Sequence, residues 1–185
     1  MLQVDIPASI RTVYGKGESR RLRMDEKTPA VVYSNGADAL ALQFDSAKLY
    51  KELFALHGRN AVVTLDIDGD DKDTRHVLIK DVQVHPVTDR LIHVDFQEIS
   101  LDAQREFKVP INYTGVAKGV DLGGELHVAQ SSVRIKGCPL DIPDNITVDV
   151  TPLNKGEAGV TFGDLEVADT VEILDNKSAL CVNVI

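Results

Sequence analysis

The chain of 185 residues contains little cysteine and no long apolar run. Its two cysteines, Cys138 and Cys181, are far apart and form no Cys-x-x-Cys motif, so neither a zinc site nor a disulfide framework is indicated. The N-terminal residues include an acidic one, Asp5. No apolar segment of the sequence is long enough for a signal peptide or a membrane span. These absences predict a soluble protein of the reduced cytoplasm, with no metal, no cofactor and no membrane partner.

The sequence also lacks the motifs of common catalytic sites. No Gly-x-Ser-x-Gly elbow and no paired-carboxylate signature accompany its serines and histidines. The segment Gly15-Lys16-Gly17 is not a phosphate-binding loop of an NTPase, because the earlier glycine of the Gly-x-x-x-x-Gly-Lys spacing is absent. We therefore expect no enzymatic activity and no small-molecule substrate.

Basic residues are outnumbered overall, yet they cluster in one short segment. Residues 11–23 hold five Lys or Arg and one acidic residue, in a chain whose net charge is −9. Residues 1–95 carry 13 Lys and Arg against 15 Asp and Glu, whereas residues 96–185 carry 7 against 14. A local basic face binds a polyanion despite remote acids, because screening at physiological salt acts over roughly 8 Å. The cluster predicts nucleic-acid binding, with a solvated basic turn as the alternative.

Alternating apolar and polar residues predict strands in the first half of the chain. The alternation is clear in residues 2–6 and 40–44. Asp68-Gly69 is a strong hairpin turn signal, and a long return strand follows it. The apolar phase of that strand shifts between Ile79 and Val82, which predicts a β-bulge.

Two short helices are expected among these strands. Asp45 or Ser46 can cap a helix with leucines at helical spacing, and Gly58 supplies its end. Ser19 would open the other helix, which carries the arginines of the basic segment. Three arginines on less than one turn cannot all face the core, so a phosphate partner is favoured.

The second half of the chain has a different composition. A polar stretch over residues 97–104 separates the first half from a new alternating run over residues 107–113. Frequent Gly and Pro turn signals between short strands follow, which favour an all-β sandwich or an open sheet.

Four motifs in the first half together resemble one protein family. They are Gly15-Lys-Gly-x-Ser-Arg-Arg-Leu-Arg23, Pro29-Ala-x-x-Tyr33, Asp81-Val-Gln-x-His-Pro86 and His93-x-Asp-Phe96. In this order they are similar to the bacterial large-subunit ribosomal proteins that bind 5S ribosomal RNA. The length resembles the long form of that family, the general stress or Ctc type. Ser34 stands where the family usually has Gly, which would restrict backbone approach to RNA there.

The resemblance implies the identity of the RNA, and the residue types predict the contacts. Phosphates would be contacted by Arg11, Lys16, Arg20, Arg21 and Arg23. Close approach through backbone or hydroxyl would come from Gly17 and Ser19. Ribose or base edges would be contacted by Tyr33, Gln83, His85, His93 and Asp95. His93 and Asp95 share a face of one strand, which permits a hydrogen-bonded pair, although the residue pattern alone, without the resemblance, favours a structural role for His85 and His93.

We therefore predict a mainly β protein with two domains. Residues 1–97 would form a β-barrel-like 5S rRNA-binding domain with one or two short helices, and residues 98–185 a sandwich-like or open-sheet domain of unassigned role. The expected function is a structural one in the large ribosomal subunit, with 5S rRNA and nearby subunit proteins as partners. Two alternatives are a stress-response or ribosome-associated protein with secondary RNA binding, and a hydrolase that uses His93 and Asp95.

Overall fold

The computed structural model describes residues 1–34, 36, 38–56, 60–70, 74–156, 158–168 and 170–185. They divide into two compact units, Leu2–Leu101 and Asp102–Ile185, with Met1 counted in the second. Ile99 is 7% exposed, and its backbone N–H donates to the His76 carbonyl at 2.9 Å. The first unit therefore includes the residues that directly follow its last strand.

The first unit is a closed barrel of six strands. The strands are β1 (Leu2–Ile10), β2 (Lys27–Tyr33), β3 (Leu40–Asp45), β4 (Ala61–Asp68), β5 (Arg75–Val84) and β6 (Leu91–Glu98). They close in the order β1-β3-β2-β6-β5-β4. β1 pairs with β4 and β2 pairs with β6 in parallel, whereas the other neighbours are antiparallel. The predicted barrel-like fold is confirmed.

Alternate residues of the strands fill the barrel. The rings of Phe44 and Phe96 lie 5.4 Å apart between centroids, and both side chains are buried. On β2, Ala30 and Val32 are buried while Tyr33 is only half-buried. Because successive side chains of a strand point to opposite faces, Tyr33 lies on the outside of the barrel.

The pairing of β5 with β6 contains two register shifts. Lys80 is the extra residue between the paired positions Ile79 and Asp81, which confirms the predicted bulge. The second shift leaves Ile92 of β6 without a partner on β5. A bulge bends its strand and leaves backbone groups outside the ladder, so the surface near Ile92 departs from a regular sheet.

The helix after β3, α2 (Ser46–Leu56), was predicted from the leucine spacing and is confirmed. Asp45 Oδ1 accepts a hydrogen bond from the Lys48 backbone N–H at 3.0 Å, as an N-cap does. Leu49 is buried against the barrel core. The predicted end at Gly58 lies outside the described residues.

The helix after β1, α1 (Lys16–Met24), begins before Ser19, so the predicted start at Ser19 is wrong. Gly15 precedes the helix with a φ of 104°, a conformation that side-chain-bearing residues rarely adopt. The Ser19 backbone N–H donates to the Gly15 carbonyl at 3.1 Å and thus lies within the first turn. Glycine, through its conformational freedom, sets the start of this helix.

The second unit contains two open sheets, which confirms the open-sheet alternative for this half. Its strands are β7 (Arg105–Thr114), β8 (Leu126–Val128), β9 (Ser132–Gly137), β10 (Ile146–Asp149), β11 (Val160–Thr161), β12 (Glu172–Ile173) and β13 (Leu180–Val184). One sheet has the order β10-β7-β9-β12 and the other the order β11-β13-β8. A short helix, α3 (Lys118–Asp121), and a 3-10 turn (Phe162–Asp164) complete the unit. Within the described ranges, no helix has the length and apolar character needed to cross a membrane.

Candidate nucleic-acid interface

Helix α1 has no buried residue, and it presents positive charge to the surface. Lys16, Arg20 and Arg21 are all exposed. Arg21 forms an ion pair with Glu18, one turn earlier on the same helix. An exposed pair of this kind contributes only about 0–1 kcal/mol, so Arg21 can exchange Glu18 for a phosphate at little cost.

Arg11, which follows β1, is hydrogen-bonded to α1. Its Nη1 donates to Ser19 Oγ at 3.0 Å, and its guanidinium carbon lies 5.7 Å from the centroid of the Tyr14 ring. Its Nε is buried without a hydrogen-bond partner among the described residues. Arg11 therefore positions α1 against the barrel as well as adding a positive charge.

Arg23 connects the other end of α1 to the barrel. Its Nη1 donates to the Ile92 carbonyl at 3.4 Å, and Ile92 is the residue that the second bulge leaves unpaired with β5. The arginine thus provides a donor for a backbone carbonyl beside His93. This contact places α1 next to the start of β6.

Polar side chains line the outer face of β5 and β6. Gln83 lies opposite His93, and Asp81 lies opposite Asp95, so the four side chains share one face. His93 Nδ1 is 2.7 Å from Asp95 Oδ1, as the strand spacing permits. Gln83 Nε2 donates to Asp81 Oδ2 at 3.2 Å. The face therefore offers carboxylate acceptors whose positions are fixed by neighbouring donors.

Tyr33 adjoins this polar face from the other side of β6. In the parallel pairing of β2 with β6, Val31 is level with Asp95 and Tyr33 with Gln97. Tyr33 is therefore on the same outer face, two residues beyond the level of Asp95, and its side chain is half-buried. Ser34 follows it directly and is also half-buried.

His85 shapes the turn between β5 and β6. Its Nδ1 accepts hydrogen bonds from the backbone N–H groups of Val87 and Thr88, both at 3.3 Å. In the neutral imidazole the proton is then on Nε2, which is left as a donor. The side chain is exposed, so His85 both stabilises the turn and can donate a hydrogen bond from Nε2 to a ligand.

The structure thus brings the predicted residues to one part of the first unit. We call this part the α1–β6 surface: α1 with the adjoining Arg11, the outer face of β5, β6 and the end of β2, and the turn over residues 85–90. Asp81 and Arg90 also lie on this surface, and the sequence interpretation did not single them out. The alternation of β5 places Asp81 on the face of Gln83 and was the available sequence signal, whereas Arg90 had no signal beyond its charge.

Within the described part of the chain, no group of three or more His, Cys, Asp or Glu side chains is arranged to hold a metal ion.

Comparison with known proteins identifies the family of the chain. Residues 6–96 match the Ribosomal L25p family, and residues 104–185 match the C-terminal domain of ribosomal protein TL5. The large ribosomal subunit protein bL25 of Desulfotalea psychrophila is 43% identical over 100% of both chains. The protein of the same name from Borrelia garinii is 39% identical, over 92% of this chain and 91% of the relative. That from Syntrophus aciditrophicus is 31% identical, over 97% and 90%.

These matches exclude one of the classes of function that the sequence left open. A family of structural ribosomal proteins has no catalytic role, so the hydrolase alternative built on His93 and Asp95 is wrong. The expected location at the ribosome in the cytoplasm is confirmed by the same relatives. The chain belongs to the Ribosomal L25p family, in a two-domain form whose second half is the TL5 C-terminal type, and it is a structural protein of the ribosome.

Proposed function

We propose that the protein is a component of the large ribosomal subunit that binds 5S rRNA through the α1–β6 surface. The observation that carries the proposal is the unburied basic helix α1, held beside a polar strand face on a chain with a net charge of −9. Such a combination suits a polyanionic ligand with hydroxyl and amine groups. Relatives named as large ribosomal subunit proteins support the assignment to that subunit.

Phosphate contacts supply most of the affinity in this proposal. Lys16, Arg20 and Arg21 project from α1 and would neutralise phosphates, releasing condensed counterions. Arg11 and Arg23 contribute charge while their hydrogen bonds to Ser19 and Ile92 hold the helix in place. A rigid basic helix loses less conformational freedom on binding than a flexible basic tail does.

Specific recognition belongs to the strand face. RNA duplexes expose 2′-hydroxyls and base edges in a wide, shallow minor groove, where proteins read shape and hydroxyl positions. Asp95 can accept from a ribose hydroxyl or a base amine while His93 fixes its orientation. Gln83 and Tyr33 add an amide and a phenolic hydroxyl on the same face, so the contacts are directional rather than purely electrostatic.

The second unit has a different role in this proposal. Residues 96–185 carry 7 basic residues against 14 acidic ones, a balance unsuited to a polyanion. We assign the RNA affinity to the first unit, which contains residues 1–97 of the predicted RNA-binding domain, and no RNA contact to the second unit.

Titration of the purified full chain with 5S rRNA tests the proposal. A mobility-shift or anisotropy measurement at physiological salt should show saturable binding that excess transfer RNA does not displace. Displacement by equal amounts of transfer RNA would show general polyanion binding and contradict the assignment.

Sedimentation of cell extracts separates the proposal from the stress-response alternative. The protein should co-sediment with large ribosomal subunits from unstressed, growing cells. Co-sedimentation only after stress would favour the ribosome-associated interaction protein with secondary RNA binding.

A further inference from the structure

A groove opens between α1, the beginning of α2 and the turn over residues 85–90. It encloses about 800 Å³, within the range of sites that take small organic ligands. Arg20 and Arg23 of α1 line one wall, and Arg90 with His85 lines the turn side. The groove is therefore continuous with the α1–β6 surface.

Helix α2 contributes Ser46, Ala47 and the aromatic ring of Tyr50 to the groove. Tyr50 lines it with 44% of its surface exposed, and Phe54, one turn later, is 62% exposed. The two rings stack with their centroids 6.1 Å apart and an angle of 16° between their planes. The Tyr50 ring, partly exposed and held beside Phe54, therefore offers a flat apolar surface to the groove. Met24 adds further apolar surface to the lining.

The charges of the groove suit one phosphate rather than several. Three arginines line it, together with the carboxylates Glu26 and Asp89. The neutral form of His85 has its Nδ1 occupied by two backbone N–H groups and offers Nε2–H as a donor. A single positive charge in excess, beside a flat apolar face and a ring donor, matches the chemistry of one nucleotide.

We propose that this groove takes one unpaired nucleotide of the bound RNA, with its base stacked on Tyr50. The inference rests on the proposed function, because it assigns a nucleotide of the same RNA. Unstacked bases of single-stranded loops and bulges are commonly held on aromatic side chains. A protein partner is disfavoured because it would compete with RNA for Arg20 and Arg23, which belong to both surfaces.

Binding of bacterial 5S rRNA by the full chain and two variants of Tyr50 tests the inference. Tyr50→Leu keeps apolar volume and removes the π face, and it should weaken binding roughly 5- to 100-fold, as loss of one base–aromatic stack does. Tyr50→Phe keeps the ring and should bind within about twofold of the wild type, since it loses only a hydroxyl. Both variants should melt like the wild type, because the side chain is largely at the surface. Ultraviolet cross-linking of the wild-type complex should join a nucleotide to the peptide that contains Tyr50.

The outcomes distinguish the inference from the function on which it rests. Wild-type affinity for Tyr50→Leu, with weakened binding by an Arg20→Ala, Arg21→Ala variant, would overturn the stacked nucleotide and leave 5S rRNA binding intact. Equal weakening by both Tyr50 variants would also overturn it, because the ring would not be the determinant. Unchanged RNA binding with weakened attachment to large subunits would make the groove a protein site instead. Failure of the wild type to bind 5S rRNA would overturn the function and the inference together.

Discussion

His93 and Asp95 form a pair on the outer face of β6, with 2.7 Å between Nδ1 and Oδ1. Their side chains are 28% and 32% exposed, so the pair is partly shielded but still open to a ligand. Asp81 lies opposite Asp95 on β5 and presents a second carboxylate to the same face. Two carboxylates on a surface proposed to bind RNA make sense only if at least one accepts a directed hydrogen bond.

Replacement of Asp95 by Asn separates directed recognition from electrostatics. A purely electrostatic binder would become slightly tighter, because a negative charge near a polyanion is removed. We expect Asp95→Asn to bind 5S rRNA more weakly, by on the order of 1–3 kcal/mol, since a charge-assisted hydrogen bond is lost. The salt dependence should hardly change, because no cation is removed.

Asp81→Asn is the matched control, since it removes the same charge from the opposing strand. The proposal assigns no RNA contact to Asp81, and an Asn at this position can still accept from Gln83, so we expect affinity equal to or slightly above that of the wild type. Equal effects of the two substitutions in anisotropy titrations at two salt concentrations would count against Asp95 as a specific contact.

Glycine substitutions at the start of α1 separate stability from RNA approach. Gly17 lies inside the helix in open space, so Gly17→Ala should raise the free energy of unfolding by roughly 0.5–1 kcal/mol. Its added methyl should nevertheless weaken RNA binding if the backbone approaches RNA closely there. Gly15→Ala should instead destabilise by about 1–3 kcal/mol, because φ is 104° and ψ is 169° at that position, a conformation almost restricted to glycine. Urea unfolding with RNA titration measures both effects, and a Gly17→Ala variant with full affinity would exclude close backbone approach.

Separate expression of the two units tests the proposed division of labour. Residues 1–101, which include the buried Ile99, should fold by circular dichroism and bind 5S rRNA with most of the affinity of the full chain. Residues 102–185 should fold without binding RNA. A folded first fragment with much weaker binding than the full chain would mean that the second unit contacts the RNA.

Acid should destabilise the second unit through two aspartates. Hydrogen bonds from the Thr161 hydroxyl and backbone lower the pKa of Asp164, and the Arg134 backbone N–H, followed by its guanidinium, lowers that of Asp175. A lowered folded-state pKa contributes stability above the ordinary aspartate value of about 3.9, and that contribution disappears as the pH falls through the folded value. Between neutral pH and about pH 2, the melting temperature should therefore fall less steeply for the double variant Asp164→Asn, Asp175→Asn than for the wild type. Parallel curves for the two proteins would contradict this assignment.

Local patterns predicted much of the first unit. Period-two alternation indicated the strands, the leucine spacing indicated α2, and the phase shift before Val82 indicated the bulge at Lys80. The closure of the barrel was not predictable from these patterns. It depends on parallel pairing of β1 with β4 and of β2 with β6, which are far apart in sequence, and no local signal encodes such a register.

The candidate site was predictable only in part for the same reason. Charge clustering singled out α1, and strand alternation placed His93 beside Asp95. The contact of Arg23 with Ile92 depends on a second bulge that the apolar pattern did not reveal. The groove also joins Tyr50 to Arg90, which belong to separate elements and meet only through tertiary packing.

The salt dependence of 5S rRNA binding tests the central claim most directly. With about five cations engaged, the slope of log K against log salt should be roughly −3 to −5 for the full chain. The double variant Arg20→Ala, Arg21→Ala should lower the affinity. Its slope should be less steep by the amount that about two phosphate contacts contribute. Lys118→Ala with Lys177→Ala removes the same charge from exposed positions of the second unit and should leave both values unchanged. A flat salt response, or equal effects of the two double substitutions, would contradict RNA binding through α1.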